Sequence, residues 1–499
     1  MPDKIYPLTV PAGIQKDGTQ LSARPWIDGE WCRFYRGLPK KMGGYLQIIG
    51  GLPNVPRGTF VISNAGNFNT YLGDFQTLKY FTMNGDGLPL SGLVDRTPSG
   101  IVTNPYNEWT FDGMYSTVSN AGIIVAHIAP NLFSIDNTVE APIYYGDAFS
   151  NTPLISTGIS VSGGMVSLHP YLFMFGNDGN VMWSNANDPT TVMDSARVTD
   201  KKIVAGLATR GGNSSPAGLL WSLDALIRVT QVGNNQIAFA FDTVTSESSI
   251  LSSKGIIEYD GIFFWAGVDR FLYYNGVVQE LPNDMNLNFF FNNLNYAQRQ
   301  KVWATKQTRW GEIWWLFPFG NSIECNHAIV YNVREKSWYN TPITRGSGYF
   351  EQTFAYPVWT DSVPDGGGNY NVWMHEQGSD QNIGGVLTAI PSYIKTPDLS
   401  WCLKGADGQM QGLDRWSDLY RVEPDFIQSG QMNLQVAGRE YANSPEITFP
   451  LEPFLPTDVK IDIRKQQRFM TLTFSSDVIG GDYEMGTVLL VMRVGDARQ

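Results

Sequence analysis

The side chains able to do chemistry are scattered along the chain. Four histidines, His127, His169, His327 and His375, each stand alone in aromatic surroundings. A metal site or an activated nucleophile would need ligand or base partners at a recognisable short spacing. Packing and turn roles account for an imidazole in such a setting, and His169 precedes Pro170 at a strand entry. Asp178, Glu258, Asp260, Asp269 and Asp284 are the carboxylates that could face one another as acid and nucleophile, the pair a retaining glycosidase uses. Most of them lie in Asn/Gly-type turns, where aspartate is explained by bonding to nearby backbone N–H groups. Trp26, Trp31, Trp183, Trp310, Trp314, Trp315 and Trp338 would suit stacking against sugars, and their alternation fits buried sheet faces at least as well.

No phosphate-binding G-x-x-x-x-G-K-[ST], no G-x-S-x-G, no H-E-x-x-H and no EF-hand loop occurs. The expectation is a protein with no catalytic, cofactor-binding or metal-binding residues, and so not an enzyme. Cys32, Cys325 and Cys402 lie far apart without a C-x-x-C or a Cys/His grouping, which predicts buried, reduced thiols. A formal charge of −12 opposes any surface that must grip phosphate, because affinity for DNA comes largely from Lys and Arg. Neither a basic stretch leading into an apolar run nor about 18 uninterrupted apolar residues is found, so neither a signal peptide nor a membrane-spanning segment is expected. The sequon Asn213-Ser214-Ser215 sits in a small polar loop, Thr209-Arg210-Gly211-Gly212-Asn213-Ser214-Ser215-Pro216, that either connects strands or lines a channel.

The elements that must position these groups are short strands. Fifty-one Gly and 28 Pro are spread through a chain that is 42% apolar and 13% aromatic, the composition of an all-β protein punctuated by turns. Residues 1–55 read as an extended arm ending in a hairpin, with Asp28-Gly29 as its turn. From 56 to 395 a unit of aromatic strand, tight turn and second strand returns every 40 to 60 residues or so, the spacing of blade-like arrays. Its clearest copy, Gly255 to Val278, breaks into three strands at Asp260-Gly261, Gly267-Val-Asp269 and Asn275-Gly276. Others run Asn67–Phe81, His169–Ser184 and Glu312–Tyr339. Packing such meanders radially covers their apolar faces, which predicts a β-propeller-like body. Leu287, Phe290, Phe291 and Leu294 near helical spacing predict a helix within 284–303. Ile390–Asp398 reads as a seam, and 396–499, with five or more alternating strands, as a C-terminal β-sandwich.

Several stretches together resemble the tail hub or nozzle proteins of short-tailed bacteriophages, the packaged DNA stabilisation protein family. They are Trp26-Ile-Asp-Gly-Glu-Trp-Cys-Arg-Phe-Tyr-Arg-Gly-Leu-Pro-Lys-Lys-Met-Gly-Gly44, Ile256-Ile-Glu-Tyr-Asp-Gly-Ile-Phe-Phe-Trp-Ala-Gly267, Gln300-Lys-Val-Trp-Ala304, Glu312-Ile-Trp-Trp-Leu-Phe-Pro318 and Tyr331-Asn-Val-Arg-Glu-Lys-Ser-Trp338, then Arg421-Val-Glu-Pro-Asp-Phe426 and Gly480-Gly-Asp-Tyr-Glu-Met-Gly486. The resemblance implies a β-propeller-like body and a homohexameric ring below the portal-adaptor of the virion tail, assembled in the host cytoplasm. It also implies docking of tail fibres, spikes or a needle, and double-stranded DNA passing through the lumen without specific binding. It carries over no catalytic residue and no cofactor. An acidic ring would not hold phosphate, so genome retention would be steric, and the loop Thr209–Ser215 is the candidate constriction. The alternative is a tail-associated glycan-degrading or glycan-binding propeller. Against it stands the absence of Ser-x-Asp-x-Gly-x-x-Trp boxes, which Asn177-Asp-Gly-Asn-Val-Met-Trp183 only approximates.

Overall fold

The computed structural model describes residues 4–64, 66–130, 134–209, 217–232, 238–349, 356–401, 403–404, 410–411 and 415–497. The architecture is all-β, built from multiple antiparallel sheets. Six four-stranded meanders follow one another, sheets A (58–95), B (107–161), C (164–197), D (203–245), E (256–280) and F (303–342). Sheet G comprises 345–349, 358–361, 370–375, 380–383 and 386–389, together with a strand from the other end of the sequence, Tyr45–Leu52. That strand pairs antiparallel with Tyr370–His375.

Sheet E shows how the local sequence makes a meander. Its strands are Ile256–Tyr259, Ile262–Ala266, Phe271–Tyr274 and a fourth, Val278–Glu280, one more than the sequence predicted. The breaks fall at the expected turns. Asp260 and Gly261 both take positive φ, 51° and 82°, the geometry of a two-residue primed hairpin.

Each sheet buries apolar side chains against the next. Trp109 and Tyr71 lie between A and B, Leu172 and Ile123 between B and C, Phe173 and Ile227 between C and D, and Trp221 and Trp265 between D and E. Phe271 and Trp315 continue the series between E and F, and Trp314 and Trp359 between F and G. The order then returns to its start, since Val358 and Val372 of G pack with Val61 and Phe81 of A.

The first fifty residues are not one arm but strands lent to four sheets. Lys4–Pro7 pairs with Leu489–Met492, Asp28–Glu30 with Tyr393–Lys395, and the hairpin Cys32–Tyr35/Leu38–Lys41 meets Asp482–Met485 at Lys40 and Glu484. Tyr45–Leu52 completes sheet G. Asp28-Gly29 is therefore strand and not turn. The hairpin bends at Arg36-Gly37, with φ of 54° and 77°, where a glycine can hold the left-handed backbone next to a strand edge.

Ser392–Lys395, at the expected seam, is itself a strand, paired with Thr473–Ser476 in a five-stranded sheet. The C-terminal sheets share one core with sheet F, in which Leu434, Phe474 and Tyr483 join Trp303, Trp314 and Tyr339. The predicted helix is short, Leu287–Asn293, followed by a 3-10 segment Tyr296–Lys301. Leu294 turns to extended backbone after an asparagine-rich stretch of poor helix propensity. Phe290 is fully buried against Phe271 and Phe317.

Candidate functional site: the central cavity

The first strands of all seven sheets, A to G, surround a cavity of about 490 Å3. They can come this close because small residues stand where neighbouring sheets cross. A Cβ added at Gly348 would lie 2.3 Å from Cδ1 of Trp359 and 2.8 Å from the Trp303 ring. One side of the cavity is aromatic. Trp109 and Phe111 stack with centroids 5.7 Å apart, Phe111 stacks on Phe60 at 6.1 Å, and Tyr349 meets Phe60 edge-on at 5.6 Å. Phe60, Phe111 and Tyr349 are only partly buried, so part of each ring remains uncovered.

Polar groups around the cavity tie one sheet to another. Lys306 of sheet F donates to the Glu258 backbone oxygen at 2.7 Å and to its carboxylate at 3.1 Å in sheet E. The hydroxyls of Thr59 in A and Ser347 in G lie 2.7 Å apart. Lys254, just before sheet E, sits 3.5 Å from the Glu108 carboxylate in B and donates to the Arg57 backbone oxygen. Asp112 of B accepts the Ser167 N–H of C and the Gly113 N–H, both at 2.7 Å. Burial pushes the Asp112 carboxyl up to about 6 against the pull of those two donors, and no charged neighbour contributes.

Two further buried networks lie outside the cavity. Arg33, from the hairpin, contacts Glu312 of sheet F at 2.9 Å and Glu376, just after a strand of G, at 2.7 and 2.8 Å. Tyr339 and Trp314 donate to Glu312, Trp310 donates to Glu376, and the guanidinium lies 4.6 Å above the Trp310 ring. Burial raises the Glu312 carboxyl against the opposing pull of Arg33. Burial would also raise Glu376, yet Arg33 beside it holds its carboxyl below the usual range. In sheet G, Asp361 accepts from Trp373 at 2.6 Å and from Arg345 at 3.0 Å, while Arg345 also donates to Nε2 of His375 at 3.0 Å.

The histidines stay apart. His127 is buried with Nε2 3.1 Å from the Val161 oxygen, and burial lowers it to about 4. His327 packs among Phe289, Phe317 and Phe319 beside Asn340, and burial lowers it likewise to about 4. His375, stacked on Trp359, is held well below its ordinary value by burial and by the charges of Arg345 and Arg33. His169 lies in the turn before Tyr171–Phe175.

Among the carboxylates singled out from sequence, Asp178, Asp260, Asp269 and Asp284 lie in turns or bends, whereas Glu258 lines the cavity. The seven tryptophans are buried except Trp310, which is half-buried under Arg33. Cys32 and Cys325 are buried free thiols, with Cys32 pushed up to about 12 by burial, and the side chain of Cys402 is outside the described residues. Among the described residues no group of His, Cys, Asp and Glu is placed to hold a metal. Of the candidate constriction loop, Thr209 donates its N–H to the Ala217 oxygen at 3.1 Å, while Arg210, Gly211, Gly212, Asn213, Ser214 and Ser215 lie outside the described residues.

Sequence reasoning passed over Asp112, Glu312 and Glu376. For the first two a signal existed: each is a lone carboxylate in an otherwise aromatic strand, Trp109-Thr-Phe-Asp-Gly-Met and Glu312-Ile-Trp-Trp-Leu-Phe.

No family model matches the chain, and no curated protein matches it. Solved structures that it matches include Raptor from Chaetomium thermophilum, at 8% identity over 67% of this chain with a TM-score of 0.41. This chain spans 30% of the length of that Raptor chain. A chain of a mitotic checkpoint complex matches at 8% identity over 65% of this chain and 93% of its own, with a TM-score of 0.39. An exo-β-1,3-galactanase from Phanerochaete chrysosporium matches at 10% identity over 89% of this chain and 100% of its own, with a TM-score of 0.27. Superpositions this loose say nothing about what the chain does.

Proposed function

We propose that this chain is a structural subunit of a short bacteriophage tail, its seven sheets forming the blades of a β-propeller beside a C-terminal β-sandwich. The observation that carries the reading is the threading of residues 4–52 through four sheets, fastened where Arg33 is held by Glu312 and Glu376. A body stitched in this way resists being pulled apart, which is the demand on a wall that holds back packaged DNA. The stretches that carry the resemblance to tail hub proteins, Trp26 to Gly44 and Glu312 to Pro318, supply that fastening.

A cavity of about 490 Å3 is on the scale of a small molecule, so a duplex would pass between copies in a six-membered ring and not through the propeller. The net charge of −12 suits a lumen to which phosphate does not adhere. The ring would sit below the portal-adaptor and carry fibres, spikes or a needle on its outer surface. Native mass measurement of the protein alone and mixed with the portal-adaptor tests this. A six-copy complex on the connector is expected, and a monomer that ignores the connector overturns the reading.

One observation favours the second reading, a glycan-binding or glycan-degrading propeller: aromatic rings and the carboxylates Asp112 and Glu258 share the cavity. Release of reducing sugar from host polysaccharide, abolished by Asp112→Asn, would establish it in place of the first.

A further inference from the structure

We propose that the central cavity binds a small organic cation, its ammonium group against Asp112 and its apolar body against the rings of Trp109, Phe111, Phe60 and Tyr349. The argument begins with the charges around the cavity. Lys306 has Glu258 at 3.1 Å and Lys254 has Glu108 at 3.5 Å, so each ammonium in the wall has its own carboxylate. Asp112 has two backbone N–H donors and, among the described residues, no cation. A carboxylate has about four acceptor positions, and two donors leave the others unused.

A buried charge without a counter-charge costs stability. Structural carboxylates elsewhere in this chain avoid that cost, as Glu312 and Asp361 do with Arg33 and Arg345. Asp112 differs in facing open space, and the rings beside it are of the kind that attract a cation through their faces. An anion would meet Asp112 with like charge, and a neutral molecule would leave the carboxylate uncompensated. The volume, about 490 Å3, admits a molecule of drug-like size.

The test is isothermal titration calorimetry of the full-length protein with benzyltrimethylammonium chloride, and with benzyl alcohol and benzoate as the neutral and anionic analogues. Saturable binding of the cation at a single site is expected, with neither analogue binding measurably. Asp112→Asn, which keeps a carbonyl acceptor for the backbone donors, should weaken binding by about tenfold or more, and Phe111→Leu by a smaller factor. Circular dichroism verifies that each variant is folded. If Asp112→Asn does not fold, Phe111→Leu and the three-ligand series on the unaltered protein decide the matter. No saturable heat with the cation, equal affinity for benzyl alcohol, or unchanged affinity in the folded variants overturns the proposal.

Discussion

Arg33 and Asp112 are both charged groups set among aromatic rings, and their surroundings differ in one respect. Arg33 meets two carboxylates and a tryptophan face within a site that also spends Tyr339, Trp314 and Trp310 as donors. Asp112 is offered two backbone N–H groups and an empty volume. The first arrangement is closed, and its members are separated by up to 343 residues in sequence, so it serves to hold distant segments together. The second joins neighbouring sheets B and C and leaves its charge open to a further partner. Where charge is matched the fold is being fastened, and where it is unmatched beside a cavity the chain has kept a site.

The largest effect should come from breaking the closed site. Arg33→Ala leaves Glu312 and Glu376 buried without their cation, and a loss of about 3 to 5 kcal/mol in urea unfolding is expected. A loss below about 1 kcal/mol would mean that the hairpin is not fastened there. Next comes the packing between F and G. At Gly348 a Cβ would press on Trp359 and Trp303, and Gly348→Ala should cost about 1 to 3 kcal/mol, read as a lowered Tm.

The open site should respond with the opposite sign. The folded Asp112 carboxyl titrates near 6, above its unfolded value of 3.8, so its ionisation opposes folding at neutral pH. Asp112→Asn is expected to stabilise the protein by about 1 to 2 kcal/mol at pH 7. Because the folded Asp112 takes up a proton before the unfolded one does, this gain should shrink as pH falls through 6 toward 3.8. Urea unfolding at pH 7 and pH 5 reads both values.

The buried histidines titrate the other way. His127 and His327 are lowered to about 4, so between pH 6.5 and 4 the unfolded chain binds protons that the fold refuses, and stability falls on acidification. His327→Phe should lessen that decline by up to about 1.4 kcal/mol per pH unit. The smallest effect belongs to an exposed pair: Arg228→Ala, which removes a partner of Asp242 on the surface, should change stability by less than about 0.5 kcal/mol.

Turn chemistry made sheet E legible in advance, because Asp260-Gly261 and Asn275-Gly276 encode their geometry within two residues. The partners of the first fifty residues could not be read in the same way. Lys4–Pro7 and Leu489–Met492 carry nothing local that names one another, since pairing between distant strands depends on which edges the rest of the fold leaves available. Asp28-Gly29 misled for this reason: a good turn pair was drawn into a strand by Ile394 and Lys395. The candidate site was half visible. Asp112 stands out as one carboxylate in an aromatic strand, but the cavity beside it exists only after seven sheets are assembled.

The strand Tyr45–Leu52 has a consequence for biosynthesis. It finds its antiparallel partner only at Tyr370–His375, and Lys4–Pro7 waits for Leu489–Met492. During translation these early segments leave the ribosome with their edge hydrogen bonds unmet until hundreds of residues have followed, and closing so long a loop adds an entropic barrier. Nascent chains should therefore expose adhesive strand edges for much of their synthesis, a period in which chaperone holding or low temperature would raise the yield of native protein.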